Sequence, residues 1–584
     1  MKNLNFLWTA ILICLIFTAC DPNEDETVYN PNPTTNFSQH FGASVTRDFI
    51  GQVVDVNNNP IANAAVKIGN STTQTDINGV LILNSANVNE NFAYITATKS
   101  GYVNGSRAVV PTTGKNNIRI MLLPLQTTET IQSGESSTVT IGATQVVFDG
   151  SFMDENGDAY SGSVKVSMFH LMPSNDNLSD IMPGMLYAEN AQGQARALET
   201  YGMLHVELTG NGGQKLQIAS GHTAAISLQI DSAQMASAPA TIPLWHFDEV
   251  NGYWKEDGYA TKQGNKYVGT VSHFSWWNCD APFATVELSV TVLDANGNPI
   301  PGVVVMLRRT AQNIGASSGY TDNLGHVSGL IPANESLVLE VFHYSFCGEQ
   351  TLFTQNIGPF TSDTTLPDVI INSPSVNSVS VEGNLVKCDN SNVTDGYVIF
   401  RSASNYATVS AVSNGSFSFN AIVCAASPTN FVLKGVDFES LQQTDSLYFN
   451  YTVPVTNVGN IAACNAITEF ISYQVDNSPI VFLVSNTFGN QDGTTLSVSA
   501  YNANQTSLYI LGQNVTQPGT YTTDNFSIEG AIGYIWDESV NTMVFTVANI
   551  GGVGDYIDLT FNGTYTDNTG LHTLSGTAHV KRDN

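Results

Sequence analysis

Apolar and polar positions alternate with a period of two through most of the chain, the pattern of strands with one face in a core and one in solvent. Leu204, Val206 and Leu208 fall on one side of their segment, His205 and Glu207 on the other. Ile557, Leu559 and Phe561 alternate in the same way with Asp558, Thr560 and Asn562. Asn, Gly and Ser punctuate these runs, as turns require. Residues 244–254 read as a hairpin turned at Asn251-Gly252. No segment shows an amphipathic helical period for more than two turns. The start is different. Lys2 precedes an apolar run at 4–17 broken only by Asn5 and Thr9, ending in FTAC at 17–20. That run is shorter than the roughly 20 residues a bilayer span needs, and it reads as a secretory signal.

Two stretches echo each other. GQVVDVNNNPIANAAV at 51–66 is followed by TDING at 75–79; VTVLDANGNPIPGVVV at 290–305 is followed by TDNLG at 321–325. Each has an alternating strand, an Asn/Gly turn closed by Pro, an apolar strand, and a Thr-Asp turn ending in Gly. A weaker copy runs VEGNLVKC at 381–388, DGYVIF at 395–400 and NGSF at 414–417. These units resemble the carboxypeptidase regulatory-like domain, a prealbumin-like β-sandwich of about seven strands, over 48–123, 286–371 and, more loosely, 376–466. The resemblance implies a fold and no activity; an HExxH zinc signature is absent from the sequence.

The expected fold class is therefore all-β: tandem prealbumin-like or Ig-like sandwiches after a lipoprotein signal peptide and a flexible tether. The expected organisation is a signal peptide at 1–19, a lipidated Cys20 with its tether at 20–46, and a regulatory-like domain at 47–124. A β-sandwich at 125–282, similar to part of the animal cartilage intermediate layer protein, comes next. Further regulatory-like domains follow at 283–372 and 373–467 (the last also Ig-like), then a C-terminal β-domain at 468–584. Pro124, Pro282, Pro374 and Asn465 mark the joints.

FTAC resembles the bacterial lipobox, which implies a diacylglycerol on the Cys20 thiol and an acylated new N-terminus. Acyl chains contribute about 0.8 kcal/mol per buried methylene, so more than one gives a stable anchor. The acidic, Pro/Asn-rich segment beyond it lacks the apolar surface to fold alone. Its Asp21, Glu24, Asp25 and Glu26 look like the surface-export signals of Bacteroidota lipoproteins. They point to the outer membrane and cell surface, with the periplasmic face as the alternative.

Composition narrows the function. Charged residues make up 12% and the net charge is −30, so phosphate backbones are repelled and a nucleic-acid partner is not expected. The membrane, reached through the N-terminal lipid, is the expected partner. Beyond Cys14 in the signal and Cys20, five cysteines remain: Cys279, Cys347, Cys388, Cys424 and Cys464. An exported chain favours disulfides. Five thiols admit at most two bridges and leave one over, and their spacing leaves the pairing open.

Candidate chemistry is sparse. His170, His205, His246 and His273 lack ligand-type spacing, and DENGD at 154–158 has oxygens suited to calcium but is first a hairpin turn. No metal or cofactor is expected. Trp245, Trp254, Trp276 and Trp277 are expected to pack in the core for the most part, and would stack sugars where exposed; Trp276 and Trp277, adjacent on a strand, point to opposite faces, so at most one of that pair is expected inside. No Ser/His/Asp order in a strand-to-helix nucleophile-elbow context is recognised, and nothing local marks a glycosidase carboxylate pair. The expectation is a non-enzymatic, lipid-anchored envelope protein built as an interaction or spacer module. The alternatives are a carbohydrate-binding surface protein and an accessory subunit of a transport or adhesion complex.

Overall fold

Among the described residues, three sandwiches of seven, eight and nine strands repeat one topology. In the first, strand Ser44–Asp55 pairs antiparallel with Val80–Asn89 and parallel with Lys115–Leu122. A second sheet runs Ser71–Gln74, Ala65–Ile68, Ala93–Thr98, Gly105–Val109. The strand Thr285–Asp294 repeats the arrangement with His326–Pro332 antiparallel and with Thr364–Thr365 and Val369–Ile371 parallel. So does Val376–Lys387, between antiparallel Ser416–Cys424 and parallel Val455–Ala463. The chain is thus an all-β, multidomain β-sandwich protein.

The computed structural model describes residues 37–584 except 313–316, 346–347, 373–375, 402–406, 425–429, 441, 467–468, 477–480, 484–485, 502–506 and 537–541. The signal, Cys20 and the segment after it lie outside the described residues.

The repeated sequence dictates the repeated turn. Asp55 Oδ1 accepts the Asn57 and Asn59 amides at 2.8 and 2.9 Å; Asp294 Oδ1 accepts those of Asn296 and Asn298 at the same distances. Thr75 and Thr321 donate their hydroxyls to the Ile61 and Ile300 carbonyls at 2.6 and 2.7 Å, pinning the next turn to the segment that leads into the second strand. Gly79 and Gly325 end these turns at φ +68° and +76°, where a Cβ would lie 2.5 Å from a backbone carbonyl oxygen.

Between the first and third sandwiches lies a thirteen-stranded sheet centred on the long strand Ala195–Gly210. Its hairpin, Thr241–Asp248 against Tyr253–Gln263, turns through Gly252 at φ +85°, as the sequence predicts. One face of this sheet packs its own core, with Leu204, Val206, Leu208 and Trp277. The other is covered by Val54, Val103, Met121 and Leu123 of the first sandwich, which meet Trp245, Trp254 and Trp276. Burial on both faces makes this sheet a wall shared by two cores. The C-terminal sandwich stacks a six-stranded sheet on the five strands Phe488–Asp492, Thr495–Tyr501, Ser507–Gln513, Phe526–Gly530 and Gly533–Ile535. Leu496, Val498, Ile510, Phe545 and Phe561 are among its core residues.

Candidate functional site

The four tryptophans cannot stack a ligand. Trp245, Trp254 and Trp277 are fully buried and Trp276 is 3% exposed. Trp276 and Trp277 do point to opposite faces, but both are inside, which corrects the expectation that at most one would be. The reason is the first sandwich: it covers the face that an isolated sheet would show to water.

The histidines scatter. His170 and His205 sit on paired strands one residue out of register, hence on opposite faces. His170 Nδ1 meets Thr144 Oγ1 at 3.0 Å, and burial lowers its pKa to about 4. His205 packs on Trp276, ring centroids 5.1 Å apart. His246 and His273 meet edge-on at 4.7 Å, both against Trp277. Burial, and then the neighbouring His273, lowers His246 to about 4. Among the described residues no three His, Cys, Asp or Glu side chains gather as a metal site. The DENGD loop spends its carboxylate on itself: Asp154 Oδ1 accepts the Asn156 and Asp158 amides at 2.9 and 3.0 Å, the same turn as at Asp55 and Asp294.

Two buried carboxyls do converge, at the junction with the third sandwich. Glu199 pairs with Arg309 at 2.7 Å. Burial pushes the Asp280 carboxyl well above the usual carboxylate range, and Glu199 adds to the shift. Asn278 donates to Asp280 and accepts the Thr200 hydroxyl at 2.8 Å. With both residues at most 4% exposed, these acids sit within a junction and do not meet solvent-borne substrate.

Cys388 and Cys464 form a disulfide that ties two ends of the fourth sandwich. Cys279 is a free, buried thiol whose pKa burial raises. Cys424 ends strand Ser416–Cys424; Cys347 lies outside the described residues.

The surface feature with ligand chemistry is on the C-terminal sandwich, where the sequence reading placed none. Alternation in SLYILGQ buries Leu508 and Ile510 and turns Tyr509 outward. The same alternation around buried Ile535 turns out Tyr534 and Trp536. Phe488 and Tyr501 emerge on the same face from the first two strands. These five rings are 39–60% exposed. Phe488 and Tyr501 stack at 6.1 Å and 19°, Tyr534 and Trp536 at 6.2 Å and 28°. The cross-strand register runs Phe488, Ser499, Tyr509, Glu529, Tyr534 in one row across the sheet. The signal was present in the sequence as Tyr-Ile-Trp at 534–536; what it lacked was knowledge of which sheet face goes uncovered.

A multidomain β-sandwich protein with an open aromatic face is the class these features define. No family model matches the chain. It is similar to cartilage intermediate layer protein 1 of Sus scrofa, 31% identical over 111 residues, 18% of this chain and 18% of that protein. The human protein of the same name is 29% identical over 110 residues, 18% of this chain and 9% of that protein. The match thus spans less than a fifth of these relatives' length. Among solved structures, the shaft pilin spaA of Lactobacillus rhamnosus GG aligns with a TM-score of 0.16 at 9% identity, over 32% of this chain and 99% of that one. The major pilin subunit BcpA of Bacillus cereus aligns with a TM-score of 0.12 at 11% identity, over 56% of this chain and 99% of that one.

Proposed function

We propose that the chain is a non-enzymatic, lipid-anchored envelope protein, held to the outer membrane through Cys20, whose packed sandwiches present the C-terminal aromatic face as a binding surface. The observation that carries this reading is the row of exposed rings from Phe488 to Tyr534. Exposed aromatics forgo the burial that stabilises most Phe, Tyr and Trp, about 25 cal/mol per Å² of apolar surface. Clusters of them on a rigid sheet mark contact sites. The rigidity comes from the junctions. Tyr397 of the fourth sandwich donates to Asp76 of the first, Thr112 of the first donates to Asp322 of the third at 2.6 Å, and Arg309 pairs with Glu199. Such bonds suit a stiff spacer better than loose beads.

Two measurements test this. Cys20→Ala is expected to move the protein from the membrane fraction to the soluble one; retention on membranes refutes the anchor. A photoreactive residue replacing Tyr509 is expected to give macromolecular adducts in cells, while the same group replacing exposed Tyr259 gives none. Absence of adducts from Tyr509 refutes the binding face.

A further inference from the structure

Resting on that reading, we propose that the aromatic face binds a single, extended, neutral β-1,4-linked polysaccharide chain running across the strands.

Spacing is the first argument. In the row Phe488, Ser499, Tyr509, Glu529, Tyr534 each residue lies on the next strand. Neighbouring strands are about 4.8 Å apart, so the three rings recur at roughly 9.5 Å. In a β-1,4-linked pyranose ribbon each ring is flipped relative to the last, and equivalent faces recur every disaccharide, at about that interval. Stacking on every second sugar follows. An α-1,4 chain coils and cannot keep such contacts in line.

Chemistry is the second. Aromatic faces are apolar and electron-rich, and they match the C–H faces of a pyranose. Between the rings the row places the Ser499 hydroxyl and the Glu529 carboxylate; the next row adds Ser497, Leu511 and Ser527. Polar groups between apolar platforms suit a ligand that alternates C–H faces with hydroxyl edges. A protein partner would ask for a closed apolar patch.

Charge is the third. Glu529 and Asp492 point out from this face on a chain of net charge −30. Uronate or sulfated chains are repelled, which leaves neutral sugars. Twist is the fourth. Strands rotate by roughly 20–25° per pairing, so five accumulate about 90°. A crystalline glycan surface cannot follow that turn; one soluble chain can.

The test is titration calorimetry on the whole mature protein with cellohexaose and mannohexaose, and with maltohexaose as the α-linked control. At least one β-hexasaccharide is expected to bind, at least tenfold tighter than its disaccharide, because a disaccharide reaches one ring. Tyr534→Ala with Trp536→Ala, and separately Tyr509→Ala, are expected to weaken binding tenfold or more with unchanged circular dichroism. Tyr448→Ala, exposed on the fourth sandwich, is expected to leave it intact. Binding that survives the face variants, or that maltohexaose equals, overturns the proposal. If neither β-hexasaccharide binds while the Tyr509 photoadduct forms and proves to be protein, the ligand class is wrong and the binding face stands. If no adduct forms either, both fall.

Discussion

Tyr397 donates its hydroxyl to the carboxylate of Asp76, 321 residues away in the chain, and so fastens the fourth sandwich to the first. The same carboxylate's other oxygen accepts the Asn78 and Val80 amides at 2.9 Å. Its repeat partner Asp322 does the same: one oxygen holds its own turn, the other accepts the Thr112 hydroxyl from the first sandwich. An ordinary turn aspartate thus doubles as a joint. Tyr397 also accepts from Asn78 Nδ2 at 2.9 Å within a small apolar patch that includes Val80, Ile399 and Val436.

Tyr397→Phe is expected to destabilise the protein by about 1–3 kcal/mol, since it strips one oxygen of the Asp76 carboxylate and the buried Asn78 amide of the hydroxyl they share. Asp76→Asn tests the charge. Burial raises the Asp76 pKa from 3.8 to about 6, so between those values the folded state holds a proton that the unfolded state has lost. Stability from this group is full below pH 3.8 and is lost as pH rises through 6. Urea midpoints of the wild type are therefore expected to gain on Asp76→Asn as pH falls from 6 to 4. The two curves are expected to run parallel above pH 7.

Trp276→Ala and Trp277→Ala are each expected to cost about 3–5 kcal/mol, because both rings sit in cores. They should fail differently. Trp277 belongs to the sheet's own core, so its loss lowers the unfolding midpoint of that sheet. Trp276 belongs to the layer shared with Val54, Met121 and Leu123, so its loss loosens the joint. Limited proteolysis is expected to cleave Trp276→Ala between the two modules, near residues 124–128, faster than the wild type or Trp277→Ala.

Much of the fold was legible because the repeats carry their own turn chemistry. Asp55 with Asn59, and Asp294 with Asn298, close a turn through both carboxylate oxygens, and the strands around it follow. Even the faint copy beginning at Val381 has the same strand order. DENGD at 154–158 is another example of that turn, which its missing Pro hid. Period-two alternation, however, says only that a strand has two faces. Whether the second face meets water or another module is a tertiary fact, and it decided both the tryptophans and the aromatic row. Trp276, expected outside if Trp277 lay within, is covered; Tyr534 and Trp536, to which the alternation assigned no face, are bare.

The thirteen-stranded sheet is expected to weaken in mild acid. Burial holds the pKa values of His170 and His246 at about 4, against 6.5 when exposed. As pH falls through 6.5 toward 4 the unfolded chain takes up protons that the folded one refuses, so stability present above 6.5 is lost across that window. His246→Gln is expected to flatten the acid limb of a pH–denaturation profile. An unchanged slope would show that His246 is not held neutral by burial.

Arg309 is expected to be the costliest single polar residue at a joint. It pairs with Glu199 at 2.7 Å and Glu335 at 3.2 Å, and its guanidinium lies 4.4 Å from the centre of the Phe283 ring. Removing it leaves Glu199 buried beside Asp280, a second acid whose own pKa already runs high. An uncompensated buried charge costs about 3–5 kcal/mol, so Arg309→Met is expected in that range. Arg309→Lys should recover only part of it, because an ammonium cannot span two carboxylates and stack on a ring. If the loss comes from stranding Glu199, then Glu199→Gln with Arg309→Met must be more stable than Arg309→Met alone. A double-mutant cycle by chemical denaturation is expected to show that rescue; strict additivity would mean that Arg309 acts through packing on Phe283 and not through charge.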